Sequence, residues 1–275
     1  MAFGIERLKE LRRNTNNKII RDQFNKQAED FSRWSVTQNK EYHQAYFTFL
    51  GMTPDDSLLD VACGSGEFTL FAASRIRRAV GIDISDRMID LAQKSASQNR
   101  LTNVNFLSHD VSDIPCDDDS FSIVVCKSAF HHIHNYDEIL TEMIRCCKDS
   151  GRISIQDIVA YENDHVNVFF EQIEKRIDIS HHVTLSKDFI QNLYKRHNMT
   201  ITSTFEVNVD LNFKEYLAHA KQSEESRTEI QKLLETGLND REIFPYFTVK
   251  DGDLYLRRNV FLILGTKEQY AVPVS

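Results

Sequence analysis

The polarity pattern divides the chain into three textures. From Ser57 onward, short apolar and β-branched runs ("SLLDVA", "RRAVGID", "NVNFLS", "FSIVVC", "GRISIQDIV") alternate with stretches whose apolar residues recur at helical spacing. Such alternation predicts parallel βαβ units and an α/β fold. Before it, residues 1–50 read as helical. In "FNKQAEDF" the i, i+4, i+7 spacing sets Phe24, Ala28 and Phe31 on one face, and Trp34 follows. After it come a strand ("MTITSTFEVNV"), two helices ("FKEYLAHAK", "SRTEIQKLLETG") and a long strand ("LYLRRNVFLILGTK"). This order suggests an antiparallel addition to the sheet edge, with a helical cover inserted at 210–240.

Two helices carry start signals. Asn135 and Glu138 have the spacing of an N-cap and its capping-box partner, and Ser186 can cap "KDFIQNLYK" with Leu185 and Ile190 as a hydrophobic staple. No repeat, low-complexity tract or Pro/Gly-rich linker interrupts the pattern.

Composition narrows the class. The 275 residues suit one large α/β domain with an insertion, or two small domains. A net charge of −8 argues against a broad nucleic-acid footprint, which needs clustered Lys and Arg. Five cysteines without a C-x-x-C pair read as reduced thiols in a cytoplasmic protein. The charged start "MAFGIERLKELRRN" has no apolar signal region, and no apolar run reaches membrane-spanning length.

The chemistry concentrates in "DVACGSGEF", residues 60–68, where the first strand runs into a turn and a helix. A dinucleotide fingerprint needs G-x-G-x-x-G; Gly64 and Gly66 are followed by Thr69 instead of the third glycine. No phosphate-binding P-loop occurs. Asp60 at the end of the strand would repel pyrophosphate and suits a ligand bearing an ammonium and a sulfonium. S-adenosyl-L-methionine (SAM) is such a ligand.

"DVACGSG" resembles the D-x-G-x-G-x-G motif of class I SAM-dependent methyltransferases, with Ala62 in place of the first glycine. "AVGIDIS", "LSHDVSDIP" and "FSIVVCKSAFHHI" resemble the following motifs in order. The similarity covers most of residues 20–267, and extends to a group related to the ubiquinone/menaquinone C-methyltransferases. It implies a Rossmann-like, doubly wound seven-stranded sheet, ordered 3-2-1-4-5-7-6 with strand seven antiparallel, in residues 51–275, under an N-terminal helical lid at 1–50. The resemblance also implies a cofactor site made by Asp60, Ala62, Gly64 and Gly66. Asp83, with Ile84 and Met88 after it, would hold the ribose; Asp110 with Val111 would meet the adenine. Lys127 and Trp34 would complete the site, with S-adenosylhomocysteine as the product.

Methyl transfer from a sulfonium chiefly requires alignment, and a general base only where the nucleophile must lose a proton. His131 and His132, beyond the fourth strand, and His181 on the cover are the base candidates; Tyr161 and Tyr255 are weaker ones. Pro115–Cys116 precedes the fourth strand, against a nucleophilic role. Cys147 falls on the apolar stripe of Ile139, Leu140, Met143 and Ile144, as core. Asp117–Asp119 read as a solvated turn, so no metal site is expected. The expected activity is methyl transfer to a small-molecule acceptor, aromatic or lipophilic. Two alternatives remain: a protein of this fold that binds SAM or S-adenosylhomocysteine without methyl transfer, and RNA methylation, which requires a basic face at the pocket mouth.

Overall fold

The computed structural model describes residues 2–267; the last eight positions of the expected 51–275 domain lie outside the described residues. Two helices lead, α1 (Ala2–Phe31) and α2 (Lys40–Phe49). The alternating region follows as β1 (Ser57–Val61), α3 (Glu67–Ala73), β2 (Arg78–Asp83), α4 (Asp86–Gln98), β3 (Val104–Ser108), β4 (Phe121–Lys127), α5 (Tyr136–Cys146) and β5 (Cys147–Ile158). Then come α6 (Asp164–Ile177), α7 (Lys187–Arg196), β6 (Met199–Asn212), α8 (Phe213–His219), α9 (Glu224–Leu238), β7 (Phe247–Lys250) and β8 (Asp253–Lys267).

The strands form one sheet ordered β3-β2-β1-β4-β5-β8-β6. β1 to β5 are mutually parallel and β8 runs antiparallel between β5 and β6, the expected arrangement. An eighth strand was not anticipated. β8 runs past the end of β5, and the four residues of β7 pair with that overhang, Phe247 opposite Leu256. The stretch 210–240 holds α8 and α9.

Period-two alternation builds a core on each face. Leu58, Ile123, Val125, Leu262 and Leu264 pack with α2, α3, α6 and α9 on one side. Leu59, Val61, Val124, Cys126, Phe261 and Ile263 pack with α5 and α7 on the other. Ser186 caps α7 by accepting from the Phe189 N–H, and Leu185 and Ile190 are buried together as the staple requires. Asn135 does occupy the N-cap of α5, but its amide donates to Glu138 (2.7 Å) rather than either side chain capping the helix backbone. Cys146 ends α5 and Cys147 opens β5; both are buried, so the second is core through the sheet and not through the helical stripe.

The turn after β1 has three left-handed residues: Ala62 (φ 58°), Gly64 (φ 56°) and Gly66 (φ 80°). A Cβ on Gly66 would come within 2.7 Å of the Phe106 ring. Gly66→Ala is expected to lose about 1–2 kcal/mol to the left-handed backbone, and more to that collision. A thermal melt should fall by roughly 2–4 °C per kcal/mol lost. Ala62→Gly should do the reverse on a smaller scale. It relieves ~1–2 kcal/mol of strain against ~0.5–1 kcal/mol of added chain entropy.

Candidate functional site

Parallel strands end on the same edge of a sheet, and ligands of α/β folds sit beyond those ends. Here the register delivers Asp60 from β1, Asp83 from β2, Lys127 from β4 and Asp157 from β5 to that edge. A cavity of about 240 Å³ runs along it under α1.

At one end lies the turn. The Cys63 N–H donates to Ile82 O (2.9 Å) and the Gly64 N–H to Asp83 Oδ2 (2.9 Å), which tie the turn to β2. Thr69 stands where a dinucleotide loop has its third glycine, and its hydroxyl donates to Asp60 Oδ2 (2.6 Å). Burial pushes the Asp60 carboxyl up to about 7, although the Thr69 bond and Lys127 pull it down. Burial likewise raises Asp83 against the N–H groups of Ser85 and Gly64, and raises Glu67 against the Ser65 hydroxyl (2.6 Å). It lowers Lys127, against the attraction of Asp60, Glu67 and Asp157. No carboxylate among the described residues forms an ion pair with Lys127. Three desolvated acids around one desolvated ammonium make a setting for a zwitterion with excess positive charge.

Asp60, Ala62, Gly64, Asp83, Ile84, Asp110, Val111, Lys127 and Trp34 all line the cavity. Met88 does not. Its side chain is fully buried beneath α4, turned into the core by the Ser85 cap that starts the helix. Gly66 is also outside the lining; it shapes the turn and opens α3. Asp110 Oδ1 accepts from the Ser112 N–H and hydroxyl, while Oδ2 accepts from Asn17 of α1 (2.7 Å).

The three candidate histidines all line the cavity, yet their surroundings separate them. Nδ1 of His131 is 2.6 Å from Asp157 Oδ1, and the His131 backbone N–H donates to the other carboxylate oxygen (3.1 Å). Burial pulls the imidazole down, but the charge and hydrogen bond of Asp157 outweigh it and hold His131 above its ordinary value. His132 packs edge-on against Phe24 (5.1 Å) with Nδ1 at the Ser180 hydroxyl (3.1 Å); burial, reinforced by His131, drives it down to about 3. His181 is anchored by Glu171, 3.2 Å to both carboxylate oxygens. Tyr161 and Tyr255 lie outside the lining, and the Tyr161 hydroxyl donates to Arg257 O (2.5 Å).

Beyond His131 the cavity is walled by Ile158, Ile177, Val209, Leu211 and Val260, with Phe24, Phe31 and Trp34 from the N-terminal segment and Tyr216 and His219 from α8. Trp34 stacks on His219 (4.3 Å) and Tyr216 (5.5 Å). Glu67, Thr69, Asn17 and Asp157 were not singled out in the sequence. Thr69 had a signal, since it occupies the missing-glycine position. Asp157 had a weaker one, an acid at the end of a strand.

The family model described as "Methyltransferase domain" matches residues 52–235. An uncharacterized methyltransferase YcgJ of Bacillus subtilis is 28% identical over 124 residues, 45% of this chain and 49% of that protein. A demethylmenaquinone methyltransferase of Lactobacillus johnsonii is 25% identical over 166 residues, 58% of this chain and 68% of that one. The chain thus spans about half the length of the first of these relatives and about two thirds of the second. The crystal structure of YcgJ superposes with a TM-score of 0.76 at 19% identity, covering 84% of this chain and all of that one. A geranyl diphosphate C-methyltransferase from Streptomyces coelicolor, in complex with Mg2+, geranyl diphosphate and S-adenosyl-L-homocysteine, gives 0.57 at 18% identity, covering 83% and 78%. These likenesses show a shared Rossmann-like fold.

The raised Asp60 carboxyl predicts pH-dependent ligand binding, if the ligand's cationic end meets it. A cation against it favours the ionised form, which burial delays until about pH 7. Affinity for SAM is therefore expected to rise with pH through that region, level off above it, and release a proton below it. Calorimetry in buffers of different ionisation enthalpy reads both effects, and Asp60→Asn should flatten the profile.

Proposed function

The chain belongs to the methyltransferase domain family, and from that premise we propose that it moves a methyl group from S-adenosyl-L-methionine to a small-molecule acceptor. What carries this reading is one continuous cavity that joins an acid-lined glycine turn to an apolar chamber, with a histidine–carboxylate pair where the two meet. Of the Lys and Arg residues, only Lys127 and Arg258 are in the described lining, which disfavours an RNA backbone. The extension of the same cavity from the glycine turn into the apolar chamber favours transfer over mere cofactor binding. The names of the demethylmenaquinone and geranyl diphosphate relatives point the same way, to small acceptors.

The residues fit the cofactor by charge and donor type. Asp60 and Glu67 would face its cationic groups and Lys127 its carboxylate. Asp83 would accept from the ribose hydroxyls. Asp110, with Ile84 and Val111, would take the adenine. Bound there, SAM supplies an electrophilic methyl group on sulfur, and S-adenosylhomocysteine remains.

The protein's own part is to orient the acceptor, exclude water and hold a proton. Orientation of this kind is worth roughly 7–11 kcal/mol. α1 and Trp34 close the cavity over both ends. His131, with Nδ1 committed to Asp157, offers Nε2 as the proton acceptor toward the chamber. His132 stays neutral and serves as wall. All five thiols are free, consistent with a reducing cytoplasmic setting. No described helix is long and apolar enough to cross a membrane.

Calorimetry should show binding of SAM and none of NAD, and Asp83→Ala should remove most of the SAM affinity. Unchanged affinity would refute the ribose assignment. With an acceptor that must lose a proton, His131→Asn should lower kcat by roughly 10²–10⁴-fold. Because only neutral His131 accepts a proton, kcat should rise with pH through a midpoint above the ordinary histidine value of 6.5. Asp157→Asn should move that midpoint downward.

A further inference from the structure

One polar side chain of the cavity is buried, unpartnered and still open to it. Gln156 of β5 lies in register between Lys127 of β4 and Leu262 of β8. It is 8% exposed and lines the cavity, and its carboxamide makes no hydrogen bond among the described residues. Trp34 Nε1 and Arg258 Nη2 are also unbonded, but both are sealed from solvent; the Gln156 amide is not, so it opens on the cavity. Other polar groups nearby are committed. Arg258 pairs with Glu174 (3.3 Å), Asp178 accepts from the Ser180 N–H (2.8 Å) and Gln27 (3.4 Å), and His181 is held by Glu171.

The roof over Gln156 is α2, which runs antiparallel to β5 across this face. Arg152 Nη1 donates to Leu50 O (2.8 Å), and the Tyr46 hydroxyl donates to Ser154 Oγ (3.0 Å). Four residues of helix advance about 6 Å and two residues of strand about 6.6 Å. The register therefore continues: Leu50 over Arg152, Tyr46 over Ser154, Tyr42 over Gln156. The Tyr42 hydroxyl also lines the cavity without a hydrogen bond among the described residues, and it is not sealed. Burial, helped by Asp210, raises its phenol, so it stays protonated. His43 beside it gives Nε2 to Thr37 O (2.8 Å), and burial, then Lys127 and Arg75, pushes it down to about 4, so it is neutral. Ile158, Val209 and Val260 complete an apolar surround.

A carboxamide offers donors and an acceptor side by side in one plane, and leaving them unpaired under a ligand is costly. A hydrocarbon pairs neither. A carboxylate only accepts, which strands the Gln156 carbonyl. An ammonium only donates, and Lys127 stands on the adjacent strand. Building on the methyl-transfer reading above, we infer that Gln156 and Tyr42 form an acceptor-recognition subsite for a planar neutral group that presents N–H and C=O side by side, a carboxamide or a lactam. Two antiparallel hydrogen bonds join that group to the Gln156 amide, and the Tyr42 hydroxyl donates to its carbonyl.

The test is calorimetry with S-adenosylhomocysteine saturating and three probes of one shape: benzamide, acetophenone and benzoate. Acetophenone replaces the amide nitrogen by a methyl group. Benzamide should bind roughly 5- to 100-fold tighter than acetophenone, the range for a buried polar group left unpaired. Benzoate should bind no tighter than acetophenone. Gln156→Met keeps the side-chain length and removes both polar atoms; it should retain the S-adenosylhomocysteine affinity and lose the preference. Tyr42→Phe should weaken benzamide by roughly 2- to 10-fold, as for one neutral hydrogen bond. The subsite is overturned if wild-type protein shows no preference for benzamide, undetectable binding of both included, or prefers benzoate. It is also overturned by a preference that survives Gln156→Met or is undiminished in Tyr42→Phe. Loss of S-adenosylhomocysteine affinity in a Gln156→Met protein that is folded by circular dichroism assigns the amide to the cofactor and overturns it too. Failure of the wild type to bind S-adenosylhomocysteine overturns the methyl-transfer reading instead.

Discussion

Everything at the functional edge follows from one constraint: parallel strands finish together. Because β1, β2, β4 and β5 all point the same way, the residues that end them share a single poorly solvated space. Asp60, Asp83, Lys127 and Asp157 therefore interact strongly, whatever separates them in sequence. The fold relieves part of the cost with local donors: Thr69 for Asp60, Gly64 and Ser85 for Asp83, and the His131 ring for Asp157. Ser65 does the same for Glu67, whereas Lys127 has long-range attraction only among the described residues, a state that a ligand of matching charge improves.

The same physics sorts histidines that look equivalent on paper. His131 and His132 are neighbours in sequence and their rings lie 4.1 Å apart. One faces a fully buried carboxylate and is held charged more easily; the other sees a hydroxyl, an aromatic ring and a neighbouring imidazole, and is held neutral. Local sequence could not distinguish them, because the deciding partners, Asp157 and Ser180, are 26 and 48 residues away.

Much of the architecture was legible because its signals are periodic or local. The apolar runs gave the strands, the Gly64–Gly66 turn with its flanking acids gave one end of the cavity, and Ser186 gave a helix start. What was not legible depends on distant pairing. β7 is only "FTVK", and it is a strand because β8 overhangs β5. Asn135 had the spacing of a capping box, but Glu138 satisfied its amide first. Met88 follows Asp83 closely, but the first turn of α4 rotates it into the core. Arg258 and Glu174 come from two elements 84 positions apart in number, and nothing near either one announces the other.

α1 holds on at both ends of the cavity. Asn17 donates to Asp110 at the end beside the glycine turn, while Gln23 and Lys26 donate to Ala220 O and Lys221 O beside the chamber. Nine residues of helix separate Asn17 from Lys26, a rigid rod of roughly 14 Å. A rod fastened in two places does not uncover one compartment alone. If α1 lifts, it uncovers both compartments together, so a gate built on it would admit and release at both ends in one motion.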